Sequence, residues 1–251
     1  MLFTQGSHMI VSITVAIVSL AIFAIFRLYS ITSALTVNFS SDDYLNNHLK
    51  YQLALLILAG LVLILTYAQN PQNLSLLLSI GNLSAPAEPV EWFGIQPNTS
   101  WVFVGLYLSA VITLGTATFV YLQFRGLNIP LTKALPYTGW ILLFSLTNSF
   151  SEEAIFRLGI VSPMLGTLDV TYIALISASL FGVAHFRGMP HGLVGMVMAG
   201  FLGWLLAKSV IETQGIFWAW FIHFIQDAVI YIGFMLNRVK SKQQERLVTY
   251  G

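Results

Sequence analysis

The stretch WVFVGLYLSAVITLGTATFVYL, residues Trp101–Leu122, has no charged side chain. It is long enough to cross the hydrocarbon core of a bilayer as one helix, which takes about 17–25 residues. Stretches of the same kind recur at Ile10–Leu28, Tyr51–Ala68, Pro136–Leu158, Val170–Phe186, Leu193–Val210 and Ile216–Leu236. The composition agrees with them. Only 8% of the 251 residues are charged and 57% are hydrophobic, with a mean hydropathy of +0.79. A soluble domain carries about 25% charged residues, so this chain has too little charge to cover a surface in water. The expected fold is all-α: a polytopic transmembrane helical bundle of about seven to eight spans, enclosing an intramembrane polar cavity.

One membrane domain accounts for this length, expected over residues 9–237 with a motif core at 136–236 and a basic cytoplasmic tail at 238–251. Gly6-Ser7-His8-Met9 reads as the scar of an expression tag, so residues 1–8 are set apart and His8 is not counted as a ligand. The apolar run after Met9 is long, lacks a small-residue cleavage site and precedes further spans, which makes it a first transmembrane helix. The net charge of +1, with no basic block outside the tail, gives nucleic-acid binding no support. Cysteine is absent, which excludes disulfides, thiolate ligands and a cysteine nucleophile. In the connection Gln69–Ser100, the portion Leu74–Ile80 is expected to lie along the membrane surface. If the spans alternate and the C-terminus is cytoplasmic, Arg27, Lys50, Arg125, Lys133, Arg187, Arg238, Lys240, Lys242 and Arg246 fall inside and Lys208 outside. Gly192, Gly195, Ala199 and Gly203 give the sixth span a smooth face for close packing.

Almost everything polar inside the spans lies in three short clusters. The first is Ser151-Glu152-Glu153-Ala154-Ile155-Phe156-Arg157. Charges at this depth cost about 2.5–3.5 kcal/mol each. Glu153 and Arg157, four apart, share a helix face and can pair. That pair could serve packing alone, but Glu152 points about 100° away and stays unexplained by it. The second cluster is Phe181-Gly-Val-Ala-His185, whose lone histidine carries little weight by itself. The third is His223-Phe-Ile-Gln-Asp227, again two polar groups on one helix face. Two imidazoles and one carboxylate from Glu152, His185 and His223 would make a zinc set with one position left for water. A metal-free arrangement also works, with a carboxylate and an imidazole sharing one water.

The order and spacing of the clusters resemble the CAAX prenyl protease and bacteriocin-processing (abortive-infection) family of intramembrane endopeptidases. Its pattern of Glu-Glu-x-x-x-Arg, Phe-x-x-x-His and His-x-x-x-Asn falls here at Glu152, Glu153 and Arg157, at Phe181 and His185, and at His223 and Asp227. Trp92-Phe93-Gly94-Ile95 is similar to a short segment of bacterial members. The resemblance implies a helical membrane protease in which Glu152 and His185 activate water. By the same likeness, His223 and Asp227 hold substrate or stabilise the oxyanion, and Glu153 and Arg157 support the site. It leaves zinc open, with Glu152, His185 and His223 as ligands if zinc is used. It also implies a protein or peptide substrate at the bilayer, prenylated or lipid-anchored in the better-known members, and a prokaryotic cytoplasmic membrane as location. The pattern has Asn where this chain has Asp227, a substitution that weakens the link to prenylated substrates. An ionised Asp repels an oxyanion, so Asp227 is expected to orient His223 or to donate as a neutral acid.

Two other classes compete on the residues alone. Intramembrane Glu, His and Asp also mark the ion paths of transporters, although no internal repeat is visible. A non-catalytic membrane scaffold or immunity protein is the third reading. The protease reading also contains a tension: His185 sits near the cytoplasmic end of its span, whereas Glu152 lies about 24 Å along its helix from Pro136.

Overall fold

The computed structural model describes residues 5–127 and 129–250, and its apolar stretches are helices. In chain order these are α1 (Gln5–Ser33), α2 (Asp43–Gln69), the short α3 (Pro71–Leu77), α4 (Trp101–Phe124), α5 (Thr138–Glu153), α6 (Gly159–Met164), α7 (Val170–Ala184), α8 (Leu193–Thr213) and α9 (Phe217–Tyr250). Of the expected tag remnant, residues 1–4 lie outside the described residues, as does Gly251 at the end of the expected tail. The remainder of that tail continues α9 without a break.

Six of the described helices are long and apolar enough to cross a membrane: α1, α2, α4, α8, α9 and α7 with its following turn. The expected span at Pro136–Leu158 reaches spanning length differently. α5 passes into a π-helical turn at Ala154–Leu158 and then into α6, one unbroken helical run. The chain is therefore a multi-pass helical membrane protein. Large apolar side chains point outward, among them Leu20 at 69%, Ile64 at 66% and Leu114 at 68% exposure. Outward faces of this kind suit lipid and not water.

Local chemistry fixes the helix ends. Asp42 accepts from the N–H of Tyr44 and Leu45, Ser100 from Val102 and Asp169 from Thr171, each satisfying N–H groups that have no partner within the helix. The expected surface segment at Leu74–Ile80 is in part docked: Leu74 and Leu77 of α3 are buried, and the Asn73 amide donates to the carbonyls of Ser162 and Leu165 at the end of α6. Lys50, counted above among the cytoplasmic charges, is buried and donates to the Leu35 carbonyl at 2.8 Å.

The run from Glu153 to Met164 is buried throughout and forms the axis of the bundle. α7 packs back against it, with the Ser177 hydroxyl donating to the Phe156 carbonyl in the π turn at 2.7 Å. This packing resolves the difference in depth between Glu152 and His185. α7 rises only ~22 Å between Val170 and His185, less than the ~30 Å of a hydrocarbon core. Glu152 lies ~18 Å back along the run from Met164. The end of α7 therefore meets Glu152 at a matching height along the bundle. Close approach of α8 keeps α7 in place. A Cβ on Gly182 would stand 2.6 Å from the Met196 carbonyl oxygen, and one on Gly203 would stand 3.0 Å from the Phe181 ring.

Candidate active site

All four candidate catalytic side chains converge. Glu152 Oε2 is 3.6 Å from Nε2 of His185 and 3.6 Å from Nε2 of His223. Asp227 Oδ1 lies 3.8 Å from His223 Nε2. His223 and Asp227 are nearly buried, while the side chains of His185 and Glu152 keep 33% and 14% of their exposure. His185, His223 and Asp227 line a cavity of about 740 Å³ that continues between α4, α8 and α9. Most of its wall is apolar, but polar side chains outside this cluster, among them Thr116, Gln123, Arg187 and Gln226, also line it.

Hydrogen bonds fix the tautomer of both imidazoles. His185 Nδ1 is 2.9 Å from the Phe181 carbonyl, which can only accept, so Nδ1 carries the proton. Nε2 of a neutral His185 therefore presents a lone pair to Glu152. His223 Nδ1 is 2.7 Å from Glu153 Oε1, so it too is protonated there. The partner that orients His223 is thus Glu153, not Asp227. Spacing along α9 brings Asp227 near the ring but not within hydrogen-bond distance of it.

Glu153 does two things at once. Its other oxygen is 3.0 Å from Nε of Arg157, with both side chains fully buried. The pairing expected from the four-residue spacing is present even though the π turn begins between the two residues. The Arg157 guanidinium also lies over the Phe181 ring, 4.1 Å from its centroid. That ring meets His185 at 4.3 Å and His223 at 5.8 Å between centroids. Phe181 thereby packs between the Arg157 guanidinium and the two imidazole rings, while Glu153 reaches past it to His223.

Sequence reasoning passed over Asn148, which donates from Nδ2 to Glu152 Oε1 at 3.1 Å and to Asp227 Oδ2 at 3.0 Å. Its place four residues before Glu152 was the available signal, because that spacing puts both on one face. Ring nitrogens and a carboxylate oxygen are suitable zinc donors, and occupied Nδ1 atoms are what a pair of Nε2 ligands needs. Among the described residues, however, no three His, Asp or Glu side chains stand close enough to hold a metal ion as placed.

Residues 134–229 match the family model of type II CAAX prenyl endopeptidase Rce1-like proteins. The match runs from the turn before α5 into α9 and includes all three clusters. Neither a curated protein nor a solved structure matches the chain. The likeness over these residues, in a multi-pass helical protein, is to membrane proteases of the CAAX type.

Proposed function

We propose that the protein is an intramembrane endopeptidase that hydrolyses a membrane-associated peptide with water activated by Glu152 and His185. The observation that carries this reading is the convergence of Glu152 Oε2 on two imidazole Nε2 atoms, each 3.6 Å away, with both imidazoles lining the cavity. These separations are too long for direct hydrogen bonds and suit a shared water. A water donating one hydrogen to Glu152 and the other to Nε2 of His185 turns a lone pair toward a substrate carbonyl in the cavity. As oxygen attacks carbon, Glu152 takes the proton. His223, held at Nδ1 by Glu153, stabilises the oxyanion as an imidazolium donating from Nε2. Glu152 then returns its proton to the leaving amine as the C–N bond breaks, so atoms and charge balance.

No step in this scheme passes through a metal. A zinc-dependent form would use Glu152, His185 and His223 as ligands, after a closer approach than they have here. The location proposed is a prokaryotic cytoplasmic membrane with a cytoplasmic C-terminus, supported by the basic residues at the corresponding span ends.

The test is purified protein in detergent, offered a library of membrane-embedded peptides, with metal content measured on the same sample. Wild type should cut defined bonds, and Glu152→Gln, which keeps the shape but loses the base, should cut none at equal folded concentration. Full cleavage by Glu152→Gln overturns the mechanism. Turnover that disappears on chelation and returns with zinc moves Glu152, His185 and His223 into the ligand role.

A further inference from the structure

We propose that Asn148 is a positioning residue of this site: its amide sets the Glu152 and Asp227 carboxylates in their working arrangement, and Gln52 and Tyr231 in turn hold Asn148. The inference rests on the reading of Glu152 as the base. An amide nitrogen has two hydrogens and an ionised carboxylate only accepts, so Nδ2 of Asn148 supplies one hydrogen to each carboxylate. The reverse orientation would aim Oδ1 at two carboxylates. Contacts on the other side select the same orientation. Asn148 Oδ1 accepts from Nε2 of Gln52 at 3.3 Å, and the second Gln52 hydrogen goes to the Tyr231 hydroxyl at 2.8 Å. That hydroxyl is 2.9 Å from Nε2 of His48. The chain ties α2, α5 and α9 together by side chains that carry no formal charge.

Its chemical consequence lies at Glu152. With Oε1 bound to Asn148, Oε2 is the oxygen turned toward His185 and His223. Without that bond the carboxylate rotates about its last torsion, a broad and roughly two-fold well, and the direction toward the shared water is lost. The second N–H draws Asp227 toward α5, which leaves Nε2 of His223 free to face substrate.

The experiment compares wild type with Asn148→Leu, Asn148→Asp, Asn148→Gln and Gln52→Leu on one membrane-embedded peptide that wild type cleaves. It reads kcat and KM per folded molecule. Asn148→Leu should lower kcat about tenfold or more, with KM within about twofold. Asn148→Asp keeps the size but has no donor for its neighbours, so it should fall at least as far as Leu. Asn148→Gln keeps the amide on a longer arm and should recover part of the rate. Gln52→Leu, acting through Asn148, should cost about threefold. Should the Leu variant fail to fold, the Asp, Gln and Gln52→Leu proteins decide the question. Wild-type kcat in Asn148→Leu, near-full activity in Asn148→Asp, or a loss confined to KM would overturn the proposal. In that case an inactive Glu152→Gln leaves the protease reading standing, whereas a fully active Glu152→Gln removes both.

Discussion

Glu153→Gln separates the frame of the site from its chemistry. The carboxylate joins Arg157 at 3.0 Å and His223 at 2.7 Å, and side-chain exposure of the three is 0%, 0% and 4%. Glutamine fits the same space and its oxygen can still accept from His223, but the charge that balances Arg157 is gone. Stranding a buried charge costs about 3–5 kcal/mol. The bond to His223 falls from the charged class, about 1.5–3 kcal/mol, to the neutral class, about 0.5–1.5 kcal/mol. The expected loss is therefore ~4–6 kcal/mol. The stack of Arg157 on Phe181 is present in both proteins and offsets nothing. Unfolding in mixed micelles by titration with a denaturing detergent, followed by helical circular dichroism, measures the difference. A second step sharpens it: adding Arg157→Met removes both charges, and stability should rise above that of Glu153→Gln alone. Glu152→Gln is the control and should stay within ~1 kcal/mol of wild type, since it leaves the ion pair intact. If Glu153→Gln is as stable as wild type, or the double variant no better than the single, the buried pair does not tie the bundle together.

Asp227→Asn should retain substantial turnover of one membrane-embedded peptide, because its side-chain oxygen can still accept from Asn148, whereas Asp227→Ala should lose most; if Asn is as inactive as Ala and both are folded, the negative charge itself is required. On the side of the α9 tail, Asp42 contacts Arg238 and Lys242. Burial pushes its carboxyl up, but the hydrogen bond to Lys242, the Leu45 N–H and the two cationic charges outweigh this and hold it below 3.8. A folded pKa below the unfolded one gives stability that is present above about pH 4 and is lost as pH falls through the folded value. The gap in unfolding midpoint between wild type and Asp42→Asn should therefore be small at pH near 6, because a surface pair contributes about 0–1 kcal/mol, and should close as pH falls below the folded value. A gap that does not change with pH refutes this linkage.

The spans were legible because lipid-facing helices need long apolar runs, and the three clusters because charge within such runs is costly. Spacing within a helix was equally readable: Glu153 and Arg157 do pair. It misled where another helix supplied a nearer partner for the same ring. His223 and Asp227 are one turn apart, yet Glu153, distant in sequence, holds the ring nitrogen. Neutral polar residues escaped notice for a different reason. Asn148, Gln52, Tyr231 and His48 carry no formal charge at neutral pH, so nothing in composition marks them, although Asn148 stands at a helical spacing from Glu152. The π turn at Ala154–Leu158 has no sequence signal that we can identify.

The end of α7 and the turn after it shape the space in which the proposed hydrolysis would occur. Irregular backbone is tolerated at membrane depth only where protein buries it or where it lines a water-filled space. The chain between α7 and α8 is irregular over much of its length, and its Arg187, Gly188, Met189 and Pro190 line the cavity beside His185. His185, at the end of α7, stands level with Glu152 on the α5–α6 run. The end of α7 brings the imidazole to within 3.6 Å of the carboxylate, and the turn after it forms part of the cavity wall. Gly195 on α8 allows this turn to pack closely, since a Cβ there would collide with the Pro190 carbonyl oxygen at 1.8 Å. The small-residue face of α8 is therefore part of what builds the site, although no residue on it takes part in the chemistry.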